Sequence, residues 1–459
     1  MADVTVVILT YNRAAMLPRA IESVLAQTQR NIDILVVDDA STDDTPQVMA
    51  GYSGNVRYVR RAVNGGEAAA RNTGWRNTTS EFITYLDDDD CYEPEKIRKE
   101  LTLLRRRPEA GLAYCRYYYM TADGRRLDSS VSLPEGDVLD ELLMGCFVLS
   151  HAPLIRREWL ERIGGFDEAL ALTTDWDAWL RLSLAGCQFV CVQEPLVGYR
   201  MHGGNVTKSV EKWLRDGETT LERAFGNPRL QSKPQTFKGR AIGMHYFRGA
   251  MAYYHSGDWE MAQRAAQQML RHDPALLQDE RALVTRMCDA AFDPRCTAPL
   301  KFIAGVFDHL PADLRGLDRY RADALARVHI EVGLRAIAQE DAGLAGEHFA
   351  AARTLASPEM LEMVFLDRVH HVANVANLGD PRHFVDCAIQ LADGMIDASG
   401  LRRQARANLN IAKAFEDFVT GRRDRVPTGV VTAIVNKPSL AFNRGVIKIL
   451  VKSVMSPNE

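Results

Sequence analysis

Asp87, Asp88, Asp89 and Asp90 stand side by side directly behind the apolar run "EFITYL". Four adjacent carboxylates repel one another, so a folded chain keeps them together when a cation compensates. A hard divalent ion, Mg²⁺ or Mn²⁺, binds through one or two carboxylates while phosphate oxygens and water complete its shell. Asp87 and Asp89 form an Asp-x-Asp pair. Alternate residues of an extended segment point the same way, so both are expected to face such a metal. The plain alternative is a solvated acidic turn.

Other residues with chemical potential are spread along the first half. Thr10 ends the run "VTVVILT" and Tyr11, Asn12 and Arg13 follow it, and Asp38 and Asp39 end the run "NIDILVVDD". A carboxylate at Asp39 can accept from a nucleobase imide N–H, or it can simply cap a helix N-terminus. Arg71, in "AAARN", offers a charged fork for a nucleotide or phosphate, or else a helix-surface salt bridge. "GGFDEALALTTDWDAWLRL" contributes Asp167, Asp175 and Asp177 as candidate bases, with Asp177 read as a structural helix acid. "YRMHGGNVT" adds Arg200 and His202, the latter either a ligand or an ordinary loop histidine.

These residues need elements to bring them together. Val4–Thr10 is β-branched and apolar throughout, as in a strand buried on both faces. "MLPRAIESVLAQT" repeats apolar residues at helical spacing, and Pro18 suits a first helical turn. "NIDILVVDD", "NVRYVRR" and "EFITYL" read as further strands, separated by helices over "STDDTPQVM" and "EAAARNTGWRNT". Strand–helix alternation with short connections predicts an α/β fold, a mostly parallel sheet with helices on both faces. In such sheets ligands bind beyond the carboxyl ends of the strands. Thr10–Arg13, Asp38–Asp39 and Asp87–Asp90 all fall at those ends, so one rim should gather them.

The motifs "VVILTYNR", "VDDASTDDT", "NGGEAAARNTG", "YLDDDD", "GGFDEAL" and "TDWDAWLRL" occur here in the order seen in family 2 glycosyltransferases of the GT-A fold. The resemblance covers about residues 3–210. It implies an inverting, metal-dependent transfer from a nucleotide-sugar, most often a UDP-sugar, to a saccharide or lipid-linked hydroxyl. By resemblance, Asp89 is the direct ligand of Mn²⁺ or Mg²⁺, with Asp87 or Asp88 near the ribose and Asp39 at the base. Thr10, Tyr11, Asn12 and Arg13 border the donor pocket, Arg71 and Arg200 approach phosphate, and His202 contacts the metal or pyrophosphate. Asp175 takes the place of the catalytic base. Relatives often carry Glu-Asp there, whereas this chain has Thr174-Asp175, which leaves the Asp in place. A dehydrogenase would need a G-x-G-x-x-G after the first strand, and a nucleotidylyltransferase a glycine-rich loop; both are missing from "ILTYNR". A helical scaffold on a degenerate transferase domain is opposed by intact Asp39, Asp87, Asp89 and Asp175.

At 459 residues the chain exceeds one ordinary core. Residues 1–215 are read as the transferase domain, 216–420 as an all-α helical domain and 421–459 as a basic amphipathic tail. "YFRGAMAYYHSGDWEMAQRAAQQMLRHDP" resembles one tetratricopeptide unit around Gly257, Ala262 and Asp273-Pro274, with weaker echoes at 340–358 and 378–394. The net charge of −4 gives no reason to expect nucleic acid. From Leu401 onward, however, 11 Lys/Arg face 4 Asp/Glu, and Val446, Ile447, Leu450, Val451 and Val454 line one helical face opposite Arg444, Lys448 and Lys452. Such a helix suits an anionic membrane surface or docking on its own domain, and the helical half suits a protein partner or the acceptor. Eight scattered cysteines without CxxC spacing, no basic leader and no long apolar run lead to the expectation of a cytoplasmic enzyme, peripheral on the inner membrane face through its tail.

Overall fold

The structure is a computed structural model describing residues 2–52, 54, 56–202, 209–376, 378 and 381–392, and short stretches between 404 and 450. It divides into two compact units, Met1–Leu276 and Leu277–Glu459. The division lies well beyond residue 215, because helices after that point share the first unit's core.

Among the described residues, nine strands form one sheet in the first unit, ordered β3-β2-β1-β4-β8-β6-β9-β5 with β7 on β6. β1 (Val4–Thr10), β2 (Ile32–Asp38), β3 (Arg57–Arg60) and β4 (Phe82–Asp87) are mutually parallel. β1 is buried at every position because it lies between β2 and β4 with helices on both faces. The second half of the sheet is mixed. β8 (Leu154–Arg156) runs antiparallel to β4 and to β6 (Ala110–Met120), whereas β9 (Gln188–Arg200) is parallel to β6. β5 (Cys91–Tyr92) pairs antiparallel with β9, and β7 (Arg126–Ser129) with β6.

The helices of this unit are α1 (Leu17–Leu25), α2 (Thr45–Ala50), α3 (Gly66–Arg76), α4 (Lys96–Arg106), α5 (Leu139–Met144), α6 (Arg157–Ile163), α7 (Thr174–Leu184), α8 (Val210–Phe225), α9 (Gln235–Ser256) and α10 (Trp259–His272). α3 approaches β1 closely at Gly74, where a Cβ would lie 2.3 Å from Val7 Cγ1. Leu221, Ala224, Leu230, Ala241 and Ile242 join the same apolar core as the sheet residues. α9 and α10 make the helix pair expected from the tetratricopeptide-like stretch, turning at Gly257 with φ 75° and capped by Asp258.

The second unit is helical: α11 (Glu280–Ala290), α12 (Pro299–Asp308), α13 (Arg321–Ala338), α14 (Ala342–Leu355), α15 (Pro358–Val375), α16 (Pro381–Leu391) and α17 (Val426–Asn436). Its core is built from Ile330, Leu334, Phe349, Phe365 and Ile389 with their neighbours. Among the described residues no helix is long and apolar enough to cross a membrane. Most of the tail stripe, including Arg444, Lys448, Val451, Lys452 and Val454, lies outside the described residues.

Candidate active site

The ends of β1, β2 and β4 bring the predicted clusters to one rim, because the three strands are parallel and in register: Thr10 stands beside Asp38, and Leu9 beside Asp87. Asn12 takes a left-handed φ of 53°; its amide donates to Ser41 Oγ at 2.9 Å and its Oδ1 accepts from Thr42 N at 2.7 Å. The chain leaving β1 is thereby stapled to the chain leaving β2. Tyr11 between them stays 45% exposed.

The acidic run is a turn rather than an extended segment. Strand β4 ends at Asp87, and Asp90 N donates to Asp87 O at 3.1 Å, closing an i to i+3 turn. The expectation that Asp87 and Asp89 face the same way is therefore corrected, since period-two alternation stops where the strand does. The turn sorts the four acids between separate partners. Arg13 Nη1 donates to Asp88 Oδ1 at 2.8 Å and to Asp89 Oδ2 at 2.6 Å, and His202 Nε2 lies 2.9 Å from the same Asp89 oxygen. Asp87 and Asp90 instead meet His151, whose Nδ1 is 3.5 Å from Asp87 Oδ2 and 3.2 Å from Asp90 Oδ2. Ser150 Oγ also donates to Asp87 Oδ2, at 3.1 Å.

Burial and charge pull these groups in opposite directions. Burial pushes Asp88 up to about 7, with Arg13 opposing and Asp89 adding to the rise. Burial likewise holds Asp90 well above the ordinary carboxylate range. At Asp87 burial is outweighed by His151, Arg71 and Ser150, and the carboxyl falls below that range. Arg13 is disfavoured by burial, yet Asp88, Asp89 and Asp87 raise its pKa overall.

Arg71 is 1% exposed, so it is no surface salt bridge. Its guanidinium donates to Thr174 Oγ1 at 3.0 Å, pairs with Glu67 and stands 3.8 Å from Asp87 Oδ1, with the Phe166 ring 5.4 Å away. It ties α3 and β4 to the first turn of α7, where Asp175 sits. The Asp175 carboxylate accepts from Trp176 N at 2.8 Å and is raised chiefly by burial, with Arg71 opposing and Asp87 adding. Asp177 pairs with Arg181 at 2.7 Å along α7, as a structural helix acid does. Asp167 pairs with Arg223 at 2.5 Å.

Asp39 has its oxygens engaged at the start of α3. It accepts from Gly65 N at 3.0 Å and Gly66 N at 2.7 Å and pairs with Arg61. Gly66 adopts φ +83°, a region that L side chains rarely enter, and this aims the two amides at Asp39. A base contact at Asp39 would exchange one of these bonds. Asp38 is fully buried and accepts from Ser41 N at 2.7 Å and Tyr58 Oη at 2.5 Å. Arg200 does not reach out toward phosphate. Its Nε donates to the Asp89 carbonyl at 2.7 Å and its Nη1 to that of Ala122 at 3.0 Å, while its own amide donates to Asp90 Oδ1 at 2.7 Å.

The residues present fit a divalent cation. Asp89 and His202 offer a hard carboxylate and an imidazole 2.9 Å apart, and among the described residues Asp87, Asp90 and His151 are the group of three whose ligand atoms lie within 4.8 Å of one another. Among the described residues, Asp88 Oδ2 is buried with no hydrogen-bond partner. His151, Ser150, Glu67 and Arg61 were not singled out by sequence reasoning. His151 carried one faint signal, a histidine just ahead of the apolar pair Leu154-Ile155 that forms β8.

A parallel half-sheet thus ends in an acidic turn that Arg71 links to the first turn of α7. The chain belongs to glycosyl transferase family 2, whose pattern matches residues 5–164. A glycosyltransferase of Rickettsia typhi is 31% identical over 227 residues, covering 47% of this chain and 69% of its own length. The succinoglycan biosynthesis protein ExoO of Rhizobium meliloti is 33% identical over 243 residues, covering 49% of this chain and 68% of its own. Among solved structures, S. aureus TarS in complex with UDP-GlcNAc aligns over 70% of this chain and 90% of its own, at 16% identity and a TM-score of 0.45.

Proposed function

We propose that this glycosyltransferase moves a sugar from a nucleoside-diphosphate sugar, UDP-linked in the first instance, to a hydroxyl of a saccharide or lipid-linked acceptor in polysaccharide biosynthesis. The supporting observation is Arg71, which links the acidic turn to the helix start that carries Asp175. Donor and base are thereby assigned to one site. Asp175 takes the proton of the acceptor hydroxyl as it attacks the anomeric carbon opposite the nucleotide, and this single displacement inverts the configuration. Asp89 and His202 would hold a divalent cation, Mn²⁺ or Mg²⁺, with Asp87 and Asp88 beside them. When bound, such an ion stabilises the departing diphosphate as a Lewis acid. Thr10, Tyr11, Asn12, Arg13 and Asp39 border the nucleotide, and Arg71 steadies charge at the centre. The ExoO relative, named for succinoglycan biosynthesis, favours a polysaccharide product.

A thermal-shift screen of UDP-, GDP- and dTDP-sugars, with and without Mn²⁺, tests this reading on the wild type and Asp89→Ala. One nucleotide class should raise the melting temperature only with metal, and the variant should lose the effect. No shift with any donor, on folded protein, would overturn the reading.

A further inference from the structure

We infer that His151 is a positioning residue: it holds the carboxylates of Asp87 and Asp90 together across their turn, so that Asp88 and Asp89 are presented to the rim. The inference rests on the donor-site reading above. β8 runs antiparallel to β4 with Leu154 opposite Thr84, so the chain entering β8 arrives beside the residues that follow Thr84. His151 is thereby carried to the acidic turn although it lies far from it in sequence.

Its ring is held by stacking and at Nδ1, while Nε2 is buried without a hydrogen-bond partner among the described residues. The imidazole is 1% exposed and stacks parallel to Tyr199, with ring centroids 5.8 Å apart at 4°. The single hydroxyl proton of Tyr92 is shared between the His151 carbonyl, 3.0 Å from Oη, and the Tyr85 carbonyl, two residues before Asp87. Nδ1 faces Asp90 Oδ2 at 3.2 Å, Asp87 Oδ2 at 3.5 Å and Ser150 Oγ at 3.5 Å. Nδ1 thus stands between the first and last carboxyls of the turn, nearer to Asp90 than to Asp87. Among the described residues, Asp87, Asp90 and His151 are the one group of three whose ligand atoms lie within 4.8 Å of one another. Without the imidazole between them, the two ends of the turn would lose the group that spaces them, and the turn would open. Asp89 would then leave its place beside His202.

The test uses the full chain and Mn²⁺ alone, with affinity read from the free-ion electron paramagnetic resonance signal and folding from circular dichroism. His151→Leu should weaken Mn²⁺ binding by about tenfold or more, the range seen when residues that orient metal ligands are removed. His151→Asn, whose amide nitrogen can stand where Nδ1 stands, should restore most of that loss. His151→Gln, whose amide reaches the Nε2 position, should not. Equal recovery by Asn and Gln, or wild-type affinity in the Leu variant, would overturn the inference while leaving the metal reading intact. If the Leu variant fails to fold, the Asn–Gln comparison decides alone. Wild-type protein that binds Mn²⁺ no better than Asp89→Ala would sink the metal reading, and this inference with it.

Discussion

Asp175 sits in the first turn of α7, partly buried, and burial raises its pKa above that of an ordinary aspartate. A general base works deprotonated, so a raised pKa moves the acid limb of the rate profile upward. kcat/KM should fall as pH drops through a midpoint above the usual aspartate value of about 3.9. Asp175→Asn should lower kcat by about 10²–10⁴-fold while leaving the donor-induced melting shift in place. A variant that keeps its rate, or a limb at the ordinary position, would remove Asp175 from the role. At this scale the sequence was uneven. Motif order nominates Asp175, Asp89 and His202, and their roles are proposals. The partners of the acidic run were not legible, because His151 is placed by an antiparallel register and Arg13 by the fold-back of a loop. The rule that put Asp87 and Asp89 on one face assumed that β4 continued past Asp87.

At the scale of elements, α4 is anchored by an ion pair with no exposure at all. Lys96 Nζ lies 2.9 Å from Glu100 Oε2, 2.9 Å from Thr84 Oγ1 and 4.3 Å from the centre of the Tyr92 ring. Tyr92 Oη in turn meets Thr84 Oγ1 at 2.9 Å, so a buried polar string leads from α4 to the strand behind the acidic turn. Removing one partner leaves the other charge stranded, so Lys96→Met should cost about 3–5 kcal/mol. Lys96→Met with Glu100→Leu should recover most of the loss. All six tryptophans, Trp75 to Trp259, lie in the first unit, so urea unfolding followed by their fluorescence reports on that unit. Equal losses in the single and double variants would refute the stranded-charge account. β1 was legible to the residue, since an unbroken apolar β-branched run has few alternatives. β8, three residues long, was not, because so short a strand owes its existence to β4 and β6 on either side.

For the whole molecule, the boundary drawn from composition, near residue 215, falls inside α8. Composition registers where strands stop, whereas a core is closed by whichever helices cover it, and here α8 and α9 contribute to the sheet's own core. Protein ending at Leu276 should therefore fold and keep its metal-dependent donor shift, while protein ending at residue 215 should be insoluble or molten. The same pair of samples addresses the tail. If the basic excess after Leu401 meets a membrane, the full chain should sediment with anionic vesicles in preference to neutral ones, and the Leu276 truncation should not. Equal behaviour of the two proteins would end the membrane proposal.

The acidic turn has a consequence for the life of the protein before it ever meets substrate. Its negative charge is countered by side chains of the same chain, Arg13 on one pair of acids and His151 on the other. A zinc finger, by contrast, stays unfolded until its ion arrives. On the proposed metal-dependent reading, these internal pairs would let the chain complete its fold ahead of the ion.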